Sequence, residues 1–214
     1  MGKIGIYSRN PRFYYRVLKI LREREMPFSS IEDPENIGEE IVVIISHRED
    51  IQFSERQIFD NDALSAVRKS IPRLMGKNLF EKITIGIDPG PKPGIAAIGD
   101  GIVVEAFELS EICKIEATVK KIISDYESVQ TIIRIGDGDK PNMERILLKL
   151  SGQIIPMEVV DESGTSMPHK THNNALSAAR IANIEEFKRN GPIIKNTKKK
   201  NSIDMEFTTI KSFV

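Results

Sequence analysis

The chain has 214 residues, 40% of them hydrophobic and 29% charged, the balance of an ordinary globular protein of one large or two small domains. Its 31 Lys and Arg match its 31 Asp and Glu, so no global field draws it to DNA, RNA or an anionic membrane, and any nucleic-acid contact must use a local patch. A single cysteine, Cys113, rules out an internal disulfide, argues against a zinc site and fits a reducing compartment, while the lack of Trp and only 6% aromatic residues exclude a dense set of base-stacking platforms.

No apolar run is long enough to span a bilayer, and the N-terminus passes straight into a strand pattern without a signal-peptide layout. The expectation is a cytoplasmic protein with no membrane partner. In chain order, Lys3–Tyr7 reads as a strand and Ser8-Arg9-Asn10-Pro11 as a turn into a helix, with Asn10 as N-cap and Pro11 in the first helical position. Phe13, Val17, Ile20 and Leu21 recur at helical spacing and form its buried stripe; Arg12, Arg16 and Lys19 lie on another face, which either holds phosphate or is simply solvated. Pro27–Ile31 and Ile41–Ser46 are further strands, separated by an acidic loop. Residues 1–50 thus read as a β-α-β-β unit of Rossmann-like kind, without the Gly-x-Gly-x-x-Gly pattern of a dinucleotide site. Arg48 to Phe59 shows no clean period. Asn61 to Met75 is a helix capped by Asn61 or Asp62 and interrupted by Pro72, ended by Gly76-Lys77-Asn78. A small α/β domain over 1–78 is expected.

The stretch Ile83–Gly94 organises the rest of the chain. A strand, Ile83–Ile87, runs into Asp88; the Pro- and Gly-rich turn Pro89 to Gly94 sends the chain back into a second strand, Ile95–Ile98. Gly99-Asp100-Gly101 is a hairpin turn into a third strand, Ile102–Leu109. Ser110 to Tyr126 reads as a helix, Thr131–Ile135 as an apolar fourth strand, Asn142–Leu150 as a helix, Gln153–Val160 as a fifth strand, and Asn173–Asn190 as an alanine-rich last helix. The order β-β-β-α-β-α-β-α is that of a ribonuclease-H-like mixed sheet, expected over 79–190. A basic tail, 191–214, carries Lys198, Lys199 and Lys200, either a nucleic-acid contact or a solvated end.

Acids punctuate this pattern. Asp88 ends the first strand of the second domain, Asp137 follows the fourth, and Asp161 and Glu162 follow the fifth. If those strand ends line one crevice, the carboxylates converge and repel unless a cation sits among them. Oxygen ligands favour Mg²⁺ or Mn²⁺, and two such ions about 3.5–4 Å apart can activate water and steady the leaving oxygen of a phosphodiester. Taken singly, each acid can instead cap its own turn or the helix after it.

Ile85-Gly86-Ile87-Asp88-Pro89-Gly90 with Gly94-Ile95-Ala96 resembles the first-strand motif of the RuvC/YqgF group of ribonuclease-H-like resolvases and nucleases, and Val160-Asp161-Glu162-Ser163-Gly164-Thr165-Ser166 is similar to the motif closing the fifth strand in the YqgF branch. The resemblance covers roughly Ile83 to Lys188. It implies Mg²⁺-dependent cleavage of structured DNA, such as a junction, or of structured RNA, with Asp88 and Asp161 as metal ligands; the pattern of acids adds Asp137 and Glu162 as expected catalytic residues and Mn²⁺ as an alternative ion. Asp88, Asp137, Asp161 and Asn174 are the expected metal-ligand positions, Lys92, Lys140 and the tail lysines Lys198, Lys199 and Lys200 are the candidate nucleic-acid contacts, and the resemblance implies a homodimer. The chain departs from the family in two places: the fourth strand carries no Glu, and the last helix opens with Asn173-Asn174 where the family has an acid. His169 or His172 could stand in for that acid. The alternative is a non-catalytic nucleic-acid-binding or scaffold protein on the same fold.

Overall fold

The computed structural model describes residues 2–161 and 173–184. They divide into two compact units: residues 2–80 with Asp125–Glu127, and residues 81–124 with those from 128 onward. Among the described residues no helix is long and apolar enough to cross a membrane.

The first unit is built on strands β1 (Lys3–Ile6), β2 (Phe28–Ser30), β3 (Ile41–His47) and β4 (Gln57–Asp60), all parallel, in the order β2-β1-β3-β4. Helix α1 (Pro11–Glu23) joins β1 to β2, and α2 (Ala63–Leu74) follows β4. The Asn10 side chain accepts the N–H groups of Arg12 and Phe13, and Pro11 sits where its missing N–H costs nothing. Phe13, Val17 and Leu21 are buried against the same core as Ile4, Ile6, Val43 and Ile45. Asp62 caps α2 by accepting Ser65 N–H at 2.8 Å. Pro72 does not interrupt this helix: it lies in the last turn, where it forgoes the N–H bond to the carbonyl four residues earlier, and α2 runs on to Leu74. The helix stops at Gly76, whose φ of 76° is open to a residue without Cβ.

Strand β4 is where the sequence shows no period. It is held by a polar side chain: Gln57 is buried, its Oε1 accepts the N–H groups of Phe53 and Ser54, and its Nε2 donates to Ser46 Oγ and the Ile51 carbonyl. The unit is completed by a buried ion pair. Arg68 and Asp125 are 3% and 1% exposed, with 3.0 Å between Nη1 and Oδ2. The Arg68 guanidinium lies over the Tyr126 ring, which meets Phe80 edge-on.

The second unit is the expected mixed α/β sheet. Strands β5 (Phe80–Asp88), β6 (Gly94–Gly99), β7 (Ile102–Glu108), β8 (Ser128–Gly136) and β9 (Met157–Val160) lie in the order β7-β6-β5-β8-β9. β5, β6 and β7 are antiparallel neighbours, and β8 and β9 are parallel. Phe80 N–H donates to the Glu127 carbonyl, so β5 and β8 start side by side and run the same way. The β6–β7 turn has positive φ at both Asp100 and Gly101, the geometry that suits a two-residue hairpin. A single 3-10 turn (Ile112–Lys114) leads into α3 (Ile115–Asp125); α4 (Lys140–Leu150) and α5 (Asn174–Asn183) complete the order β-β-β-α-β-α-β-α. The fifth strand is shorter than the sequence suggests because Pro156 has no N–H to give; its carbonyl still accepts Ile133 N–H.

Candidate functional site at the sheet edge

Helix α5 lies directly on the sheet. A Cβ added to Gly86 would overlap the Ala178 carbonyl and come within 2.7 Å of Ala182 Cβ, and one added to Gly94 would overlap the Asn174 carbonyl. Ala96, Ala178 and Ala179 pack together beneath. Small residues on both surfaces let helix backbone touch strand backbone, which fixes the start of α5 over the start of β6.

That placement gathers a group of side chains. Asp88 is paired with Gly94 across β5 and β6, and Gly94 with Glu108 across β6 and β7. Paired residues face the same side, so Asp88 and Glu108 share the α5 face with Gly86 and Gly94. Glu108 Oε1 accepts Asn174 N–H at 3.0 Å, putting a negative charge on the positive end of the α5 dipole. The Asn174 side-chain amide donates to the Lys92 carbonyl at 2.8 Å, and Asn173 caps the helix by accepting Leu176 N–H. Asn174 therefore ties the Pro-rich turn after Asp88 to the last helix. Glu108 is a member of this group that sequence reading passes over; only the strand register brings it there.

Asp137 and Asp161 stand at the same edge of the sheet, one residue beyond β8 and β9, and Asp137 N–H donates to the Val160 carbonyl. Their phase differs from that of Asp88. Arg134 Nη1 donates to the Ala182 carbonyl, so Arg134 faces α5, as does Glu158, its partner at 2.9 Å. Gly136 and Val160 share that face by alternation, and Asp137 and Asp161 step to the other. Asp137 does not cap the next helix; Asp139 does, accepting Asn142 N–H and Asn142 Nδ2. Asp88, Asp137 and Asp161 are each half-buried.

Among the described residues no three His, Cys, Asp or Glu side chains gather closely enough to hold a metal ion. The described side chains alone therefore do not fit a complete Mg²⁺ or Mn²⁺ cage. Of the other residues nominated from sequence, Lys92 is exposed in the turn after Asp88 and Lys140 is exposed as the first residue of α4. Glu162, His169, His172, Lys198, Lys199 and Lys200 lie outside the described residues.

Residues 3–74 match the family described as the response regulator receiver-like domain, a match confined to the first third of the chain. No curated protein matches the chain. Among solved structures, the Argonaute of Marinitoga piezophila, in complex with 5′-OH guide RNA and target DNA, aligns over 75% of this chain at 14% identity and a TM-score of 0.31. The alignment spans 39% of that protein's chain.

Proposed function

We propose that the second unit acts on nucleic acid as a metal-dependent phosphodiesterase of the RuvC/YqgF-like kind, working as a domain over 79–190 beside a separate domain over 1–78. The observation that carries this reading is that an aspartate stands at the same end of three adjacent strands: Asp88 as the last residue of β5, and Asp137 and Asp161 one residue beyond β8 and β9. Such an edge repels a phosphodiester until a cation offsets it. When bound, a divalent ion supplies charge neutralisation and an activated water. Asp88 is the central ligand in this reading, with Asp137 and Asp161, at the same end of their strands, and Glu162 as the further catalytic acids. Lys92 and Lys140 flank the edge and steer the backbone of the substrate. DNA junctions and structured RNA are the substrate classes, and a homodimer is the proposed assembly.

A second reading, a non-catalytic nucleic-acid-binding or scaffold unit on the same fold, has its own support. Asn174 places an amide, already bonded to the Lys92 carbonyl, where an acid would complete the group, and Arg134 with Glu158 fills the neighbouring positions on the α5 face. One experiment separates the two: the whole protein and its Asp88→Asn variant, assayed for binding and cutting of branched DNA and structured RNA across a Mn²⁺ and Mg²⁺ titration. The nuclease reading expects metal-dependent cutting that Asp88→Asn abolishes and Asn174→Asp increases. Binding without cutting at every metal concentration, in wild type and Asn174→Asp alike, establishes the second reading. Neither binding nor cutting removes both.

A further inference from the structure

In the first unit the strand order reverses between β1 and β3: the chain leaves β1 towards β2 on one side and leaves β3 towards β4 on the other. The loops after β1 and β3 diverge there, at the carboxyl ends of the strands, which is where open α/β sheets bind ligands. In this chain that point is a cavity of about 590 Å³, a size suited to a small molecule. Arg9, Asn10 and Arg12 line one side, and His47, Glu49 and Asp50 the other.

Most polar groups around the cavity are already engaged. Asp50 Oδ1 accepts Arg9 N–H at 2.9 Å and its Oδ2 accepts His47 N–H at 2.7 Å, so this carboxylate stitches the two loops together. Asn10 Oδ1 is taken by the first N–H groups of α1. The His47 ring accepts Glu49 N–H at Nδ1 and packs edge-on against Phe13. Two guanidinium groups are left over. Arg9 and Arg12 are both exposed, and no carboxylate among the described residues pairs with either. Against them stands one uncommitted acid, Glu49, too little to make the cavity a cation site.

We propose that this crevice binds a phosphate monoester or inorganic phosphate, with Arg9 and Arg12 as its donors. A guanidinium presents a planar fork of N–H groups that matches a phosphate in a bidentate manner, and its charge does not depend on pH in any ordinary range. The stitch through Asp50 holds the loop that carries Arg9, and Arg12 is fixed in the first turn of α1, so part of the ordering cost of binding is met before the ligand arrives. The site lies within the first unit and is independent of the phosphodiesterase reading of the second.

The test is titration calorimetry on the full chain in EDTA, with inorganic phosphate, adenosine monophosphate and adenosine as probes. Phosphate and the nucleotide should bind saturably at one site, and adenosine should not. Arg9→Gln and Arg12→Gln should each weaken binding by about tenfold or more, as expected for loss of a charge-assisted hydrogen bond. Arg22→Gln, about 15 Å further along α1, should leave affinity unchanged. Tighter binding of the nucleotide than of phosphate would identify a nucleotide as the ligand, and equal binding the phosphoryl group alone. The proposal is overturned if wild type shows no saturable binding, if the Arg9 and Arg12 variants bind as wild type does, or if Arg22→Gln weakens binding as much as they do. Because EDTA removes divalent metal, neither outcome bears on the nuclease reading.

Discussion

Replacing Gly94 with alanine tests whether the start of α5 is held against the sheet by backbone contact. The new Cβ overlaps the Asn174 carbonyl and stands 3.0 Å from Ala175 N, both backbone atoms of a helix that cannot swing aside like a side chain. The first turn of α5 has to retreat from β6. Overpacking of this kind costs about 1–3 kcal/mol. The retreat also breaks the bonds from Asn174 to Glu108 and to the Lys92 carbonyl, each worth about 0.5–1.5 kcal/mol at most in such a half-exposed position. A loss of about 2–6 kcal/mol results, with the tie between α5 and the turn after Asp88 severed. Gly90→Ala in the same turn is the matched control, since nothing but the Lys92 carbonyl comes within 4 Å of its new Cβ, at 3.9 Å. It should stay within about 0.5 kcal/mol of wild type. Urea unfolding, monitored with a probe in the second unit because two units need not melt together, reads the difference. If Gly94→Ala proves as stable as Gly90→Ala, α5 is not seated by this contact and the grouping of Asp88, Glu108 and Asn174 loses its mechanical basis.

The charges and the thiol give further expectations. Asp125→Asn strands the Arg68 guanidinium in a buried site and should cost about 3–5 kcal/mol in denaturant unfolding, whereas the double variant Arg68→Met with Asp125→Leu should regain most of that, as paired removal of buried charges does. The Cys113 thiol donates to Glu111 Oε2 at 3.0 Å, and that hydrogen bond, then burial and the Glu111 charge, raise its pKa above the ordinary thiol value. At neutral pH less thiolate is present than in a free cysteine, so iodoacetamide should react slowly, faster as pH rises, and faster in Glu111→Gln; equal rates for wild type and that variant would contradict the assignment. The Glu116–Lys120 pair is exposed, so Lys120→Ala should leave the midpoint of unfolding nearly unchanged.

The parts of this structure that local rules govern are legible in the chain. Asn10 before Pro11, the stripe Phe13, Val17 and Leu21, and the Asp100-Gly101 turn each state their conformation within a few residues. Asp62 acts as a cap for the same reason, whereas α4 is capped by Asp139 and not by the earlier Asp137. The illegible parts depend on partners distant in sequence. Strand β4 carries no apolar alternation because Gln57 secures its loop through hydrogen bonds to Phe53, Ser54, Ser46 and Ile51. Glu108 reads as one polar residue in an alternating strand; its place beside Asn174 comes from register alone. The sequence locates Asp137 and Asp161 after their strands, but their phase relative to Asp88 depends on which face α5 covers, and that is revealed by Arg134 reaching Ala182.

The counter-ion of Arg68 reaches the first unit late. Everything else that unit needs among the described residues has left the ribosome by Phe80, while Asp125, Tyr126 and Glu127 come only after the first three strands and first helix of the second unit have been made. At ~5–20 residues per second the intervening stretch takes about 2–9 s, long compared with the folding of a small α/β domain. For that interval the nascent first unit holds an arginine without its acid and the site of Tyr126 unfilled, so it is an incomplete fold awaiting its last piece. The order of synthesis thereby delays completion of the first-made unit until the first helix of the second has been made, and a fragment ending at Phe80 reproduces that unfinished state.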